Sequence, residues 1–135
     1  MITTIPKAAL VAGLGAAIPS TLHALATGGD VAEATRAAGT LLVSVDASPA
    51  RRLVAGLSAH AGLSVGWAAV LAPLIARSRR PLAAGALLGA GVAALDLSLA
   101  RSRWPSISAL PTVPQIADHV AFGLLVAVVV RRAPR

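Results

Sequence analysis

The sequence contains no cysteine and very few aromatic residues. The lack of cysteine excludes disulfide bonds and thiolate metal sites. Tyrosine is absent as well, and two tryptophans and one phenylalanine make up the whole aromatic set. Charged residues are scarce, at 13% of the chain. A small soluble domain exposes much of its surface to water and needs more polar residues than this.

The residues that are abundant are alanine, leucine, valine and glycine. The 135-residue chain is long enough for one domain, and it is 56% hydrophobic with a mean hydropathy of +0.79. The net charge of +7 raises the question of nucleic-acid binding. However, the arginines form short clusters beside apolar segments, which is typical of residues that orient membrane spans. Nucleic-acid binding is therefore not expected, and the predicted partner is the lipid bilayer.

Four apolar segments have about the length that spans a bilayer. They cover residues 8–26, 53–76, 82–100 and 115–130. Residues 31–45 are mildly amphipathic and predict a helix that lies on the membrane interface. The proline-rich link 106–114 predicts an extended, non-helical crossing. Residues 1–135 are thus expected to form a single all-α domain, an integral membrane four-helix bundle with one additional interfacial helix.

The distribution of lysine and arginine predicts the orientation of the spans. Seven of these residues fall on one side of the membrane and five on the other: Lys7, Arg77, Arg79, Arg80, Arg131, Arg132 and Arg135 against Arg36, Arg51, Arg52, Arg101 and Arg103. The expected location is the bacterial cytoplasmic membrane, with both termini in the cytoplasm. An alternative interpretation of the first segment is a signal peptide cleaved after Ala24-Leu25-Ala26.

Small residues predict where the spans approach each other, because lipid tails are as apolar as leucine and burial alone cannot pair the helices. The candidate faces for close contact with another span carry Gly62 and Gly66 in the second span, Gly85 and Gly89 in the third, and Gly123 in the fourth. In the first span, Pro19 removes a backbone amide and predicts a bend in the helix.

Four ionisable residues on four different spans fall at one predicted depth. His23, His60, Asp96 and His119 all approach the outer face, because the spans run alternately up and down. Ionisable groups within a membrane are costly unless they are paired or hydrated, and they mark a functional site by default. Ser64 and Asp118 are secondary candidates, and Asp118 is expected to face the outer interface or to pair with Arg101 or Arg103.

Three kinds of chemistry are compatible with this polar layer. Histidine titrates near neutral pH and an aspartate partner tunes it, so the layer suits a proton or solute pathway. Alternatively, His23, His60 and His119 are candidate ligands of zinc or copper, although no cofactor is certain. A third possibility is that histidines near helix ends lie at the headgroups and have only a structural role.

Several short motifs carry a resemblance to a known group of proteins. They are PSTLHAL at Pro19–Leu25, HAGLSVGW at His60–Trp67, LDL at Leu95–Leu97, ALP at Ala109–Pro111 and ADHVAFG at Ala117–Gly123. With these motifs the chain resembles small bacterial membrane proteins that have four predicted spans. The resemblance implies the four-span topology and implies no activity.

The function classes that remain are therefore broad. The first is a membrane protein of proton-linked or solute-linked transport, and the second is an accessory subunit of a membrane complex. A metal-binding factor or a membrane enzyme is the alternative, although four polar residues are a small inventory for an enzyme. Four short helices rarely enclose a pore alone, so a homo-oligomer or a larger membrane complex is expected for transport.

Overall fold

The computed structural model describes residues 4–133, except for the side chain of Arg101, and all regular secondary structure in this range is helical. The all-α class is therefore confirmed. The helices are α1 (Thr4–Gly15), α2 (Ile18–Thr27), α3 (Glu33–Gly39), α4 (Pro49–Ala76), α5 (Pro81–Arg103), α6 (Pro105–Ser108) and α7 (Thr112–Arg132).

Four helical stretches are long and apolar enough to cross a membrane. They are Thr4–Thr27, which joins α1 and α2, then Pro49–Ala76, Pro81–Ala100 and Thr112–Arg132. Large apolar side chains such as Leu14 and Leu87 are exposed on their outer surfaces. The chain therefore has the architecture of a multi-pass membrane protein with four spans, as the hydropathy predicts.

The helices extend further into polar sequence than the apolar segments do. α4 begins at Pro49, where the side chain of Ser48 caps the helix by accepting a hydrogen bond from the amide of Arg51 (3.3 Å). Proline is favoured in this first turn because its missing amide would have no helical partner there. Hydropathy alone misses this start, since Arg51 and Arg52 fall within the first turns of the helix.

The two connections on the predicted outer side differ from expectation. The helix predicted at 31–45 is only the short α3, and turns occupy residues 40–43. Ahead of α3, Asp30 accepts a hydrogen bond from the amide of Ala32 (2.8 Å) and forms an ion pair with Arg36. The hydrogen bond from Arg36 is the main reason that the pKa of Asp30 is lowered. The prediction of an extended link at 106–114 is wrong, because α6 covers its first residues and α7 begins within it at Thr112.

The first span is broken rather than merely bent. α1 ends at Gly15 and α2 begins at Ile18, with Pro19 in its first turn. Proline cannot donate to the carbonyl one turn earlier, and this leaves backbone groups without their helical partners. The break falls at the depth of the site described below.

The closest helix contacts are made by glycines. A Cβ on Gly85 or on Gly123 would collide with the backbone of the other, and a Cβ on Gly89 would collide with the backbone of His119. The predicted approach of the third and fourth spans is therefore confirmed.

The glycine contact predicted in the second span is wrong. Nothing lies within 4 Å of a Cβ built on Gly62 or on Gly66. Instead, α4 approaches α3 closely through Gly56 and Gly39, each of which faces backbone of the other segment. The i, i+4 spacing of two glycines is thus no guarantee that their helix face has a partner.

The packed core occupies one half of the bundle. Its largest fully buried side chains are Leu71, Ile75 and Val126, and Ala8 and Ala12 pack with them. These residues belong to the start of α1 and to the ends of α4 and α7, which is the arginine-rich side of the membrane. The opposite half is less densely filled, and the polar residues lie there.

Candidate functional site: an interhelical cavity

A cavity of about 370 Å³ opens between the spans in the half opposite the packed core. Its walls come from α4, α5 and α7, with Ala16 contributed by the break in the first span. Residues of α3 and α6 line it as well, so both short helices cover the cavity beyond the ends of the spans. Five predicted polar residues line it: His60, Ser64, Asp96, Asp118 and His119.

Asp96 on α5 and His119 on α7 form a direct pair. The Nε2 atom of His119 lies 3.2 Å from Oδ2 of Asp96. The other ring nitrogen, Nδ1, lies 2.7 Å from the carbonyl oxygen of Gln115. A carbonyl only accepts, so Nδ1 carries a hydrogen. The contact between Nε2 and Oδ2 then requires one more proton, held by either partner.

This proton count sets the charge of the pair. With the proton in place the pair is neutral overall, either as imidazolium and carboxylate or as imidazole and carboxylic acid. When the proton leaves, the pair carries one negative charge. Both side chains are about one quarter exposed, at 25% for His119 and 28% for Asp96. The pair is therefore accessible from the cavity.

His60 has a different role from the one expected. Its Nε2 atom donates to the carbonyl oxygen of Gly13 at 2.7 Å. Gly13 lies in the last turn of α1, where carbonyls lack helical partners because the helix ends. His60 therefore caps one side of the break in the first span while it also lines the cavity.

Asp118 caps the other side of the break. Its Oδ1 atom accepts a hydrogen bond from the amide of Ser20 at 2.9 Å. Ser20 lies in the first turn of α2, whose own N-cap residue, Ala17, makes no side-chain cap. A carboxylate at a helix N-terminus is stabilising. The expectation that Asp118 faces the outer interface is thus corrected, because it contacts backbone in the bundle. Among the described side chains it forms no ion pair with Arg103, and the side chain of Arg101 lies outside the described residues.

His23 does not join the other polar residues. It lies on α2, outside the cavity lining, and its backbone carbonyl accepts a hydrogen bond from the hydroxyl of Thr27 (2.9 Å). His23 lies beyond the break in the first span, whereas Ala16, within the break, lines the cavity.

The metal site predicted from three histidines is not assembled. Within residues 4–133, no group of three or more His, Asp or Glu side chains lies close enough to hold a metal ion. His60 is bonded to Gly13, His119 is bonded to Asp96 and Gln115, and His23 lies apart. The positions of the histidines along the sequence do not indicate that His60 contacts Gly13 or that His119 contacts Asp96 and Gln115.

The aromatic residues are the part of the site that the sequence pattern did not reveal. Trp67, Trp104 and Phe122 all line the cavity, and they are the only aromatic residues in the chain. Trp67 also has an indole nitrogen that is buried without a hydrogen-bond partner among the described residues. Nothing in the spacing of these three residues along the sequence indicates that they share a cavity.

The comparisons with known proteins add no relative. No family model matches the chain, and no curated protein and no solved structure matches it.

Proposed function

We propose that this protein binds a small, mostly apolar solute in the interhelical cavity and couples its binding to a proton on the Asp96–His119 pair, as a proton-linked membrane transporter would. The observation that carries the proposal is the convergence of the polar side chains of α4, α5 and α7 on one cavity of about 370 Å³. Pockets for small molecules typically begin at about 300 Å³ and are mostly apolar with a few polar groups.

The composition of the cavity wall supports the binding of an apolar solute in the cavity rather than of water alone. Leucine, valine, alanine and aromatic side chains surround the few polar groups, so an apolar body is shielded from water on several sides. Asp96 and His119 then supply a polar end that a solute can reach.

The proposed location is the bacterial cytoplasmic membrane, with both termini on the cytoplasmic side. The excess of lysine and arginine on the side of the termini supports this orientation. The cavity then lies in the outer half of the bilayer. In this position Asp96 is about 10 Å from the outer end of α5, at a helical rise of about 1.5 Å per residue.

Tryptophan fluorescence tests solute binding directly, because both tryptophans of the chain line the cavity. Protein in nanodiscs is titrated with 6-bromohexan-1-ol, whose bromine quenches indole fluorescence on contact. The expected result is saturable quenching that excess hexan-1-ol reverses. Quenching that rises linearly with the amount of probe in the lipid, with no reversal, would reject the proposal.

A variant that fills the cavity separates binding from partition into lipid. Ala38 lines the cavity from α3, so Ala38→Phe should remove the saturable quenching. Leu87→Phe is the matched control, since Leu87 is 74% exposed on the outer surface of α5, and it should bind the probe as the unaltered protein does. Equal quenching of both variants would count against the cavity as the binding site.

A further inference from the structure

The charge and aromatic content of the cavity point to a particular class of solute. The carboxyl groups of Asp96 and Asp118 both line it, together with all three aromatic rings of the chain. Among the described side chains that line the cavity there is no lysine or arginine, although the chain has twelve such residues. Every formal charge supplied to the cavity by these side chains, apart from protonated histidine, is therefore negative.

From this we infer that the solute of the proposed transporter is a small organic cation, whose apolar body packs against the rings of Trp67, Trp104 and Phe122 and whose charge replaces the proton of the Asp96–His119 pair. This inference rests on the proposed function and specifies its ligand. Aromatic faces attract cations through the ring quadrupole, and the attraction strengthens when the cation is removed from water.

The exchange of charge balances within the cavity. In the absence of solute the Asp96–His119 pair holds one proton between Nε2 and Oδ2, as the hydrogen bond from Nδ1 to Gln115 requires. When a monovalent cation binds, that proton leaves to solvent and Asp96 remains a carboxylate beside a neutral imidazole. The net charge of the cavity is then unchanged, which matters because an unbalanced charge in a membrane is costly.

Three other titratable side chains share the cavity with Asp96, and each has a hydrogen-bond partner of its own. The titratable residues that line the cavity are His119 and Asp118 on α7 and His60 on α4. Asp118 is engaged by the amide of Ser20, and His60 by the carbonyl of Gly13. The described lining residues from the break in the first span, from α3 and the turn after it, and from α6 are apolar: Ala16, Ala34, Ala38, Leu41 and Ile107.

Three brominated probes with the same six-carbon body distinguish the charge preference. They are (6-bromohexyl)trimethylammonium, 6-bromohexan-1-ol and 6-bromohexanoate, each titrated against tryptophan fluorescence in nanodiscs of zwitterionic lipid. The ammonium probe should bind roughly tenfold more tightly than the alcohol, as expected for a desolvated cation over aromatic rings. The carboxylate probe should bind most weakly, and hexyltrimethylammonium should reverse the quenching by the ammonium probe.

Proton release provides the second measurement. In weak buffer with a pH-indicator dye, binding of the ammonium probe should release up to one proton per protein, and binding of the alcohol should release none. The affinity for the ammonium probe should fall as the pH is lowered, because the proton and the cation compete. Asp96→Asn should remove the proton release and, by removing the charge of the carboxylate, lower the affinity for the cation roughly tenfold, with the affinity for the alcohol little changed.

The outcomes separate the two proposals. If the alcohol binds saturably and as tightly as the ammonium probe, or if the carboxylate probe binds best, then the cation inference is wrong and solute binding stands. If the ammonium probe binds without proton release, exchange at Asp96–His119 is wrong. If no probe gives reversible, saturable quenching, then both the inference and the proposed function fail.

Discussion

The contact between α5 and α7 can be tested with two glycines of the same helix. A Cβ added to Gly89 would meet the carbonyl oxygen of His119, with the Cα of Val120 at 3.0 Å. Both atoms belong to backbone, so neither can move away by a rotamer change. A Cβ added to Gly91 would meet nothing within 4 Å. Gly89→Ala should therefore force the helices apart, whereas Gly91→Ala should not.

The expected difference in the free energy of unfolding follows from this geometry. Both substitutions gain the same helix propensity, about 1 kcal/mol for glycine to alanine, so this contribution cancels in the comparison. Forcing one methyl group into a closely packed interface typically costs about 1–3 kcal/mol. Gly89→Ala should therefore be less stable than Gly91→Ala by about 1–3 kcal/mol.

The measurement is reversible unfolding in mild detergent with increasing SDS, followed by far-ultraviolet circular dichroism. Gly89→Ala should unfold at a lower SDS fraction than Gly91→Ala. It should also weaken binding in the cavity, because the carbonyl of His119 lies against Gly89 and its displacement moves the imidazole relative to Asp96. Equal stability of the two variants would refute a backbone contact between α5 and α7 at this position.

Two further predictions concern the helix break and the orientation. Asp118→Ala removes the only side-chain cap described for the first turn of α2 and should lower the free energy of unfolding by about 0.5–2 kcal/mol. The control, Asp46→Ala at an exposed turn, should change the free energy of unfolding by less than about 0.5 kcal/mol. Equal losses in the two variants would contradict the capping role of Asp118. Because the chain has no cysteine, a membrane-impermeant maleimide applied to intact cells should label Ala109→Cys and not Ala133→Cys, and the reverse pattern would invert the proposed topology.

Hydropathy was sufficient to predict the four spans because each must present about 20 apolar residues to lipid. It could not predict the ends of the helices, since Pro49 and Thr112 start α4 and α7 within polar sequence. Caps and first-turn prolines determine these starts, and such residues carry little hydropathy signal. The short helix α6 was missed for the same reason, because Pro105 reads as a helix breaker although it is well suited to a first turn.

The site was predictable as a layer and not as a set of contacts. The alternation of spans placed His60, Asp96 and His119 at similar depth, and all three line the cavity. Their individual partners depend on rotation about each helix axis and on the break at Pro19, which the sequence pattern does not determine. His23 shows the consequence, because the alternation of the spans predicts the same depth for it and yet it lies beyond the break and outside the cavity lining.

The three polar contacts of the cavity differ in how they respond to protons. A protonated Asp118 keeps a carbonyl oxygen that can still accept from Ser20, and a doubly protonated His60 still donates from Nε2 to Gly13. Both caps therefore survive titration of the side chains that make them, and the broken span keeps its backbone partners. The His119 ring is different, because it contacts Gln115 through Nδ1 and Asp96 through Nε2, and a neutral imidazole beside a carboxylate has a single N–H and can keep only one of these two hydrogen bonds. The fold thus assigns the two roles to separate residues, with Asp118 and His60 holding the break in either charge state and Asp96–His119 as the pair whose geometry depends on its proton.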